Sequence, residues 1–294
     1  MDAEQRDTSQ QALGYKGCEL RINDHTLDDA HLEIQSPLDN GRHPTPSELL
    51  PLHPVGRLGL LPLELLSDIL LALDLPTLTS FRRVNRRAME LVDSLHQYRT
   101  ILKHCRSILR AIVSLRASFF ACRELYNTLF TTKCSSCDRF GGYLYLITCS
   151  RVCYFCFTRI ADYFPFSASQ ATKLTRLSRG DLKTLPHVFS LPGRYTPSAK
   201  SSKGRTMLLD RQAVILLGPA DDRQRQPTDY TTKEPRRFMS IISAPYLTHA
   251  GQTVDWGLHC RRCKGNTDPT NHFRHQFTRD GLVAHSQQHG AAGR

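Results

Sequence analysis

Residues 58–95 read LGLLPLELLSDILLALDLPTLTSFRRVNRRAMELVDSL. Pro62 stands where a first helical turn tolerates proline, because the N–H it lacks has no partner there in any case. Leu65, Leu66, Ile69, Leu70 and Leu73 then recur at helical spacing. Asp74-Leu75-Pro76 breaks the run, since proline disfavours helix in the residue before it. Leu78, Phe81 and Val84 make a second apolar stripe. Asn85 interrupts again, and Ala88, Leu91, Val92 and Leu95 make a third. Three short helices in under forty residues cannot bury every apolar position among themselves. Part of this surface is therefore expected to meet a partner or the rest of the chain.

On the N-terminal side, residues 1–57 carry sparse, unperiodic apolar positions and the turn-rich string NGRHPTPSELLPLHPVG. They are expected to form a poorly ordered lead. On the C-terminal side, residues 99–130 continue with helical periodicity through Leu102, Ile108, Ile112, Leu115, Phe119 and Leu125, without proline or glycine. They predict one or two long amphipathic helices forming a helical linker. Residues 131–160 hold a first cysteine cluster and 256–290 a second. Between them, 161–255 is mixed: 200–203 and 219–237 are polar and read as surface loops, and 207–217 is an apolar run of strand or helix. The fold class expected is α+β, mainly α, with three N-terminal helices and long helices followed by an irregular, metal-stapled region with short strands.

The chain has 294 residues, 40% of them hydrophobic, so a real core can form. No stretch approaches the ~18 consecutive apolar residues of a membrane span, and the N-terminus lacks the basic-then-apolar pattern of a secretory signal. A reducing compartment, cytoplasm or nucleus, is expected. The net charge of +12 would attract nucleic acid or acidic partners, although scattered single Arg and Lys also describe an ordinary solvated surface.

The string LPLELLSDILLALDLPTLTSFRRVNRRAMEL resembles the F-box. The matching positions are Leu61-Pro62, Glu64, Leu65, Ile69, Leu73, Asp74, Leu78, Phe81 and Val84-Asn85-Arg86. One departure is Ala88-Met89, where the family often carries Trp or Phe. The resemblance implies a three-helix unit over 58–98 that binds a Skp-type adaptor and, through it, cullin and RING subunits. Its implied adaptor contacts are Leu61, Pro62, Leu65, Ile69 and Val84.

Cys134-x2-Cys137 and Cys153-x2-Cys156 are separated by fifteen residues. A CxxC turn brings two sulfurs near enough to share one tetrahedral ion, and two such turns complete it. The intervening DRFGGYLYLITCSRV predicts a turn at Gly141-Gly142 and a strand over 143–147. Cys149 is a fifth thiol, either spare or a replacement for one of the four. Four protein ligands leave no open position, so a structural Zn2+ is expected.

The second cluster, WGLHCRRCKGNTDPTNHFRHQFTRDGLVAHSQQH, contains Cys260, Cys263, His272, His275, His285 and His289. Thr278 can cap a helix from about 279 to 289, which places His285 and His289 at i and i+4 on one face. Cys260, Cys263, His285 and His289 are the expected ligands of a second structural Zn2+, with His272 and His275 as competitors. Twenty-one residues separate Cys263 from His285, against about 12 in a DNA-reading finger, so a helix aimed into a major groove is not expected.

Several strings resemble filamentous-fungal F-box proteins: CSSCDRFGGYLYLITCSRVCYFCF, LPGRY, RFMSIISAPYL, VDWGLHCRRC and HFRHQFTRDGLVAHSQQH. In that resemblance the last ligand position is often Cys, where this chain has His289. The implied role is that of a non-enzymatic substrate receptor of an SCF-type ubiquitin ligase, presenting a protein substrate. The rival reading is a zinc-dependent nucleic-acid-binding protein, supported by the charge and by Tyr143, Tyr145, Tyr154 and Phe155. No P-loop, G-x-G-x-x-G, H-E-x-x-H or G-x-S-x-G motif occurs, which argues against catalysis. No repeat period marks a recognition platform, so the substrate is not readable, and 161–255 is its default binding region.

Overall fold

The computed structural model describes residues 14–16, 26–28, 32, 55–196, 201–218, 235–248, 251–264 and 272–290, the side chains of 289 and 290 excepted. The opening stretch forms α1 (Leu63–Leu71), α2 (Leu75–Arg82) and α3 (Arg86–Ser94). Each break is made by the residue that interrupts the apolar pattern. The Asp74 carboxylate accepts from the Thr77 N–H at 2.9 Å, and the Asn85 side chain accepts from the Ala88 N–H at 2.8 Å. Both satisfy amides that the first turn of a helix leaves unpaired.

The next segment departs from expectation. In place of one or two long helices it forms three short ones: α4 (His96–His104), α5 (Arg106–Leu115) and α6 (Cys122–Leu129). Cys105 leaves helical geometry at φ −129°, ψ 43°, and Arg116 takes the left-handed conformation at φ 55°, ψ 45°. Neither break carries a proline or glycine. Packing decides them: Cys105 is buried, and bending there lets α4 and α5 both turn their apolar stripes into one core. Helix α5 is central. It packs against α2 on one side and against strands β5 (His187–Phe189) and β7 (Ile241–Ser243) on the other. The core therefore runs unbroken from Leu66 and Leu78 through Ile108 and Ile112 to Leu144, Ile241 and Leu247.

Beyond α6, β2 (Tyr143–Tyr145) is the middle strand of an antiparallel sheet, between β3 (Ser150–Val152) and β7. Short α7 (Tyr154–Arg159) follows β3. A second small sheet orders β4 (Phe166–Ser167), β6 (Met207–Leu209) and β5. With α8 (Ala168–Thr175) and α9 (Arg211–Leu217) it encloses a satellite core of Phe166, Ala171, Leu182, Leu209 and Val214. The ambiguous 207–217 run is thus both strand and helix, divided at Asp210, whose carboxylate accepts from the Ala213 N–H at 2.9 Å. The chain closes through β8 (Tyr246–Thr248), β9 (Thr253–Asp255), β10 (His259–Cys260) and α10 (Arg279–Gly290). Among the described residues no helix is long and apolar enough to cross a membrane.

Two more expectations are corrected. Pieces of the lead are packed: Tyr15, Leu27 and Leu32 are buried, and the Leu27 N–H donates to the Ile241 carbonyl at 3.0 Å at the edge of β7. Most of the lead lies outside the described residues. Within the 219–237 stretch read as a surface loop, Arg237 is buried. It donates to the Thr158 carbonyl and lies over the Phe164 ring, a cation–π contact that composition alone does not reveal. Residues 219–234 lie outside the described residues.

One buried cation ties these parts together. Arg151, on β3, is 2% exposed. Its guanidinium donates to the carbonyls of Thr128 at the end of α6, Gly141, Ala244 and Pro245. Burial lowers its pKa to about 10, still well above neutrality, so the charge is retained and four carbonyl dipoles solvate it. Gly141 is required by this contact: a Cβ there would come within 2.5 Å of the Arg151 Cγ. Arg151→Met is expected to lower unfolding stability by about 3 kcal/mol or more, because it leaves several buried acceptors unpaired. A urea titration of both proteins measures it.

Candidate docking face and metal centres

Helix α1 has two apolar faces. Leu66, Leu70 and Leu71 are buried in the core, while Leu65 and Ile69, also spaced i and i+4, are 54% and 44% exposed. Leu61 and Pro62 at the helix entry and Val84 after α2 are exposed as well. The five contact positions implied by sequence resemblance therefore all lie at the surface. Leu60, 84% exposed, and Leu63 extend this apolar surface; the sequence reading missed both. Their signal was the density of leucine before and at the start of the helix. Large apolar side chains grouped this way mark interaction surfaces.

The first cysteine cluster assembles as its spacing predicts. The Sγ atoms of Cys134, Cys137, Cys153 and Cys156 all lie within 4.8 Å of one another, with Cys137 and Cys153 at 3.6 Å. The first pair sits in a tight turn. The Cys134 N–H donates to the Arg139 carbonyl at 2.7 Å and the Asp138 N–H to the Cys134 carbonyl at 3.2 Å, with Asp138 in the left-handed region at φ 56°. The second pair opens α7, where the Cys153 sulfur accepts from the Cys156 N–H at 3.4 Å. Gly142 admits Gln276 at close range, where a Cβ would collide with its side-chain amide. The Gly141-Gly142 pair thus serves close approach more than turn geometry.

Electrostatics within this cluster are those of crowded sulfurs. Hydrogen bonds from Cys153 and then Cys156 hold the Cys134 thiol far below the ordinary thiol range. The same contacts push Cys153 up to about 12 and Cys156 higher still. One thiolate is thus stabilised by its neighbours, and the four sulfurs together could hold a metal ion. Cys149 stands apart. It is in the left-handed region at φ 55°, faces Thr128, and burial pushes it up to about 12. It lines a cavity of about 620 Å³ together with Thr128, Lys133 and Arg151. With so high a pKa it is almost wholly protonated at neutral pH, which argues against a nucleophilic role.

In the second cluster Cys260, Cys263 and His285 are buried, and their donor atoms lie within 4.8 Å of one another. Cys263 Sγ and His285 Nε2 are 3.2 Å apart. The Thr278 hydroxyl accepts from the Gly281 N–H at 3.1 Å, so the expected cap starts α10 and sets the position of His285. His289 lies in the same helix, with its side chain outside the described residues. His272 and His275 stand beside this group without joining it. The His272 ring is 5.6 Å from that of His285, and His275 packs on Phe155 at 4.3 Å. Burial first, then Arg139, His272 and His285, lower His275 to about 4. The described cysteines are free, and both groups could hold a metal ion.

Cys137→Ser is expected to remove one equivalent of bound metal per chain, whereas Cys149→Ser leaves the content unchanged. Acidification should release the ion, because the sulfurs must be deprotonated to bind it. Elemental analysis of the purified proteins reads both effects.

Comparison with known proteins locates one family. Neither the curated proteins nor the solved structures contain a match to this chain. Residues 58–100 match the F-box domain, a span that takes in α1 to α3 and the first half of α4. This chain therefore carries an F-box domain, and it presents an exposed apolar face there.

Proposed function

We propose that this chain is the substrate-receptor subunit of an SCF-type ubiquitin ligase. In this reading it does no chemistry itself. The F-box docks a Skp-type adaptor, the remainder holds a protein substrate, and the substrate lysine gains effective concentration near the charged conjugating enzyme. The observation that carries the proposal is the two-faced helix α1. One apolar face is spent on the core, while Leu65 and Ile69 on the other, like Leu61, Pro62 and Val84, are exposed among the described residues. Interfaces take their affinity from such clustered apolar anchors.

In the same proposal each cluster holds a structural Zn2+. Soft thiolate donors suit zinc, and a full set of protein ligands leaves no position for water or substrate. Cys134, Cys137, Cys153 and Cys156 hold the first ion. Cys260, Cys263 and His285 hold the second, with His289 one turn further along α10 as fourth ligand. Free, clustered thiols suit a reducing compartment, cytoplasm or nucleus. The substrate-binding region is assigned to 161–255, where Leu216 and Leu217 are exposed at the end of α9. Nucleic acid is not favoured as the partner. Tyr143, Tyr145 and Phe155 are buried, so they do not offer a platform on which bases could stack.

A binding assay with purified Skp-type adaptor tests the docking. Replacing Leu65 and Ile69 together by Glu is expected to weaken adaptor binding by more than about 30-fold, as loss of two anchors implies. Thermal stability and zinc content should stay near wild type, because exposed positions contribute little to folding. By contrast Leu70→Ala, on the buried face, should cost about 2–5 kcal/mol of stability. Adaptor binding that survives the double substitution would remove the basis of the assignment.

A further inference from the structure

Strand β1 (Gly14–Tyr15) pairs antiparallel with β10, Gly14 opposite Cys260 and Tyr15 opposite His259. The Tyr15 side chain is 3% exposed, and its ring stacks on His259 with centroids 5.4 Å apart and planes 16° from parallel. The Arg261 Nε–H donates to the Gly14 carbonyl at 3.0 Å. A Cβ on Gly14 would come within 2.5 Å of Leu282 Cδ2 and 3.4 Å of Leu258 Cβ, and Leu282 is itself 1% exposed. Among the described residues, these partners of the dipeptide all belong to the segment that carries the second cluster. Together they demand an extended chain with no side chain at one position and a flat aromatic ring at the next.

We propose that the edge of β10 is a receiving site for an extended Gly-aromatic peptide segment, shaped by the metal ion of the second cluster and filled in this chain by its own Gly14–Tyr15. The proposal rests on the zinc reading of that cluster. Cys260 is the strand partner of Gly14, and His285 lies three residues beyond Leu282 on α10. An ion held by Cys260, Cys263 and His285 fixes β10 against α10 and so fixes the narrow gap that only glycine fits. A two-residue ladder is too short to hold a segment in place without such support. The next described anchor of the lead on a strand edge is Leu27, twelve residues after Tyr15. That tether gives the cis strand an effective concentration on the order of millimolar. A partner segment of the same chemistry therefore enters when the cis strand is displaced.

The test uses the full-length, zinc-loaded chain and a fluorescent peptide of residues 9–16, SQQALGYK. Gly14→Val should unseat the cis strand and bind this peptide, while wild type binds at least about 10-fold more weakly through cis competition. A chelator should abolish binding to the variant, and the peptide with valine in place of glycine should not bind. Tyr15→Ala serves as a second unseating variant, and adaptor binding in the same samples reports that the fold is intact. Folded, zinc-loaded variants that fail to bind the peptide overturn the proposal. So does binding of the valine peptide, or binding that survives the chelator. If Cys263→Ser and wild type hold equal zinc, the zinc reading of the second cluster has failed and this proposal falls with it, whereas equal adaptor binding in those samples leaves the F-box reading standing.

Discussion

A single buried guanidinium organises the middle of this molecule. Arg151 sits on β3 between the two halves of the first cysteine cluster and binds carbonyls from α6, from the turn after the first CxxC pair and from the turn after β7. A buried charge is expensive unless every donor is directed at an acceptor. The fork geometry of arginine meets that demand across three segments at once, where lysine has only a point charge to offer. The same residue pairs with Leu144 across the β2–β3 hairpin, and its backbone carbonyl accepts from Ser135 in the knuckle.

The F-box helices are continuous with much of the remainder. Helix α5 packs against α2 and against strands β5 and β7, so the F-box helices and the first cysteine cluster share one core. This has a mechanical consequence for the proposed receptor. A substrate held on segments packed into this core would keep a fixed relation to α1, because the described residues 55–196 contribute to the same core. Rigid presentation is what a tethering role requires, since effective concentration falls when the connection is long and flexible.

The two cysteine clusters sit in different surroundings. The first lies within the main core; among the described residues the second has a small buried cluster of Cys260, Cys263 and Leu282, with Leu258 and Phe277 packed against it. In the proposed function, an ion held by the sulfur and imidazole donors of the second cluster would add cohesion where apolar burial is small. That benefit would extend to the lead, whose Tyr15 is buried on the strand that carries Cys260.

Local chemistry settled a large part of this in the sequence. Asp74 and Asn85 end helices because their side chains cap the next one, which is a three-residue effect and readable from a string. The CxxC spacings predicted the grouping of the four sulfurs, and Thr278 the start of α10, for the same reason. The order Leu-Pro-x-Glu and the leucine stripe pointed to the F-box. What the string left open depended on distant contacts. No local signal breaks the helix at Cys105 or Arg116; the shared core does. Apolar periodicity could not say that Leu66 and Leu70 face inward while Leu65 and Ile69 face out, because both pairs are leucine-like at the same spacing. Nor could it say that Tyr15 closes on His259, 244 residues away, or that Arg151 and Arg237 are buried. Those positions are decided by where acceptors, aromatic faces and strand edges gather in space, and only the folded chain brings them together.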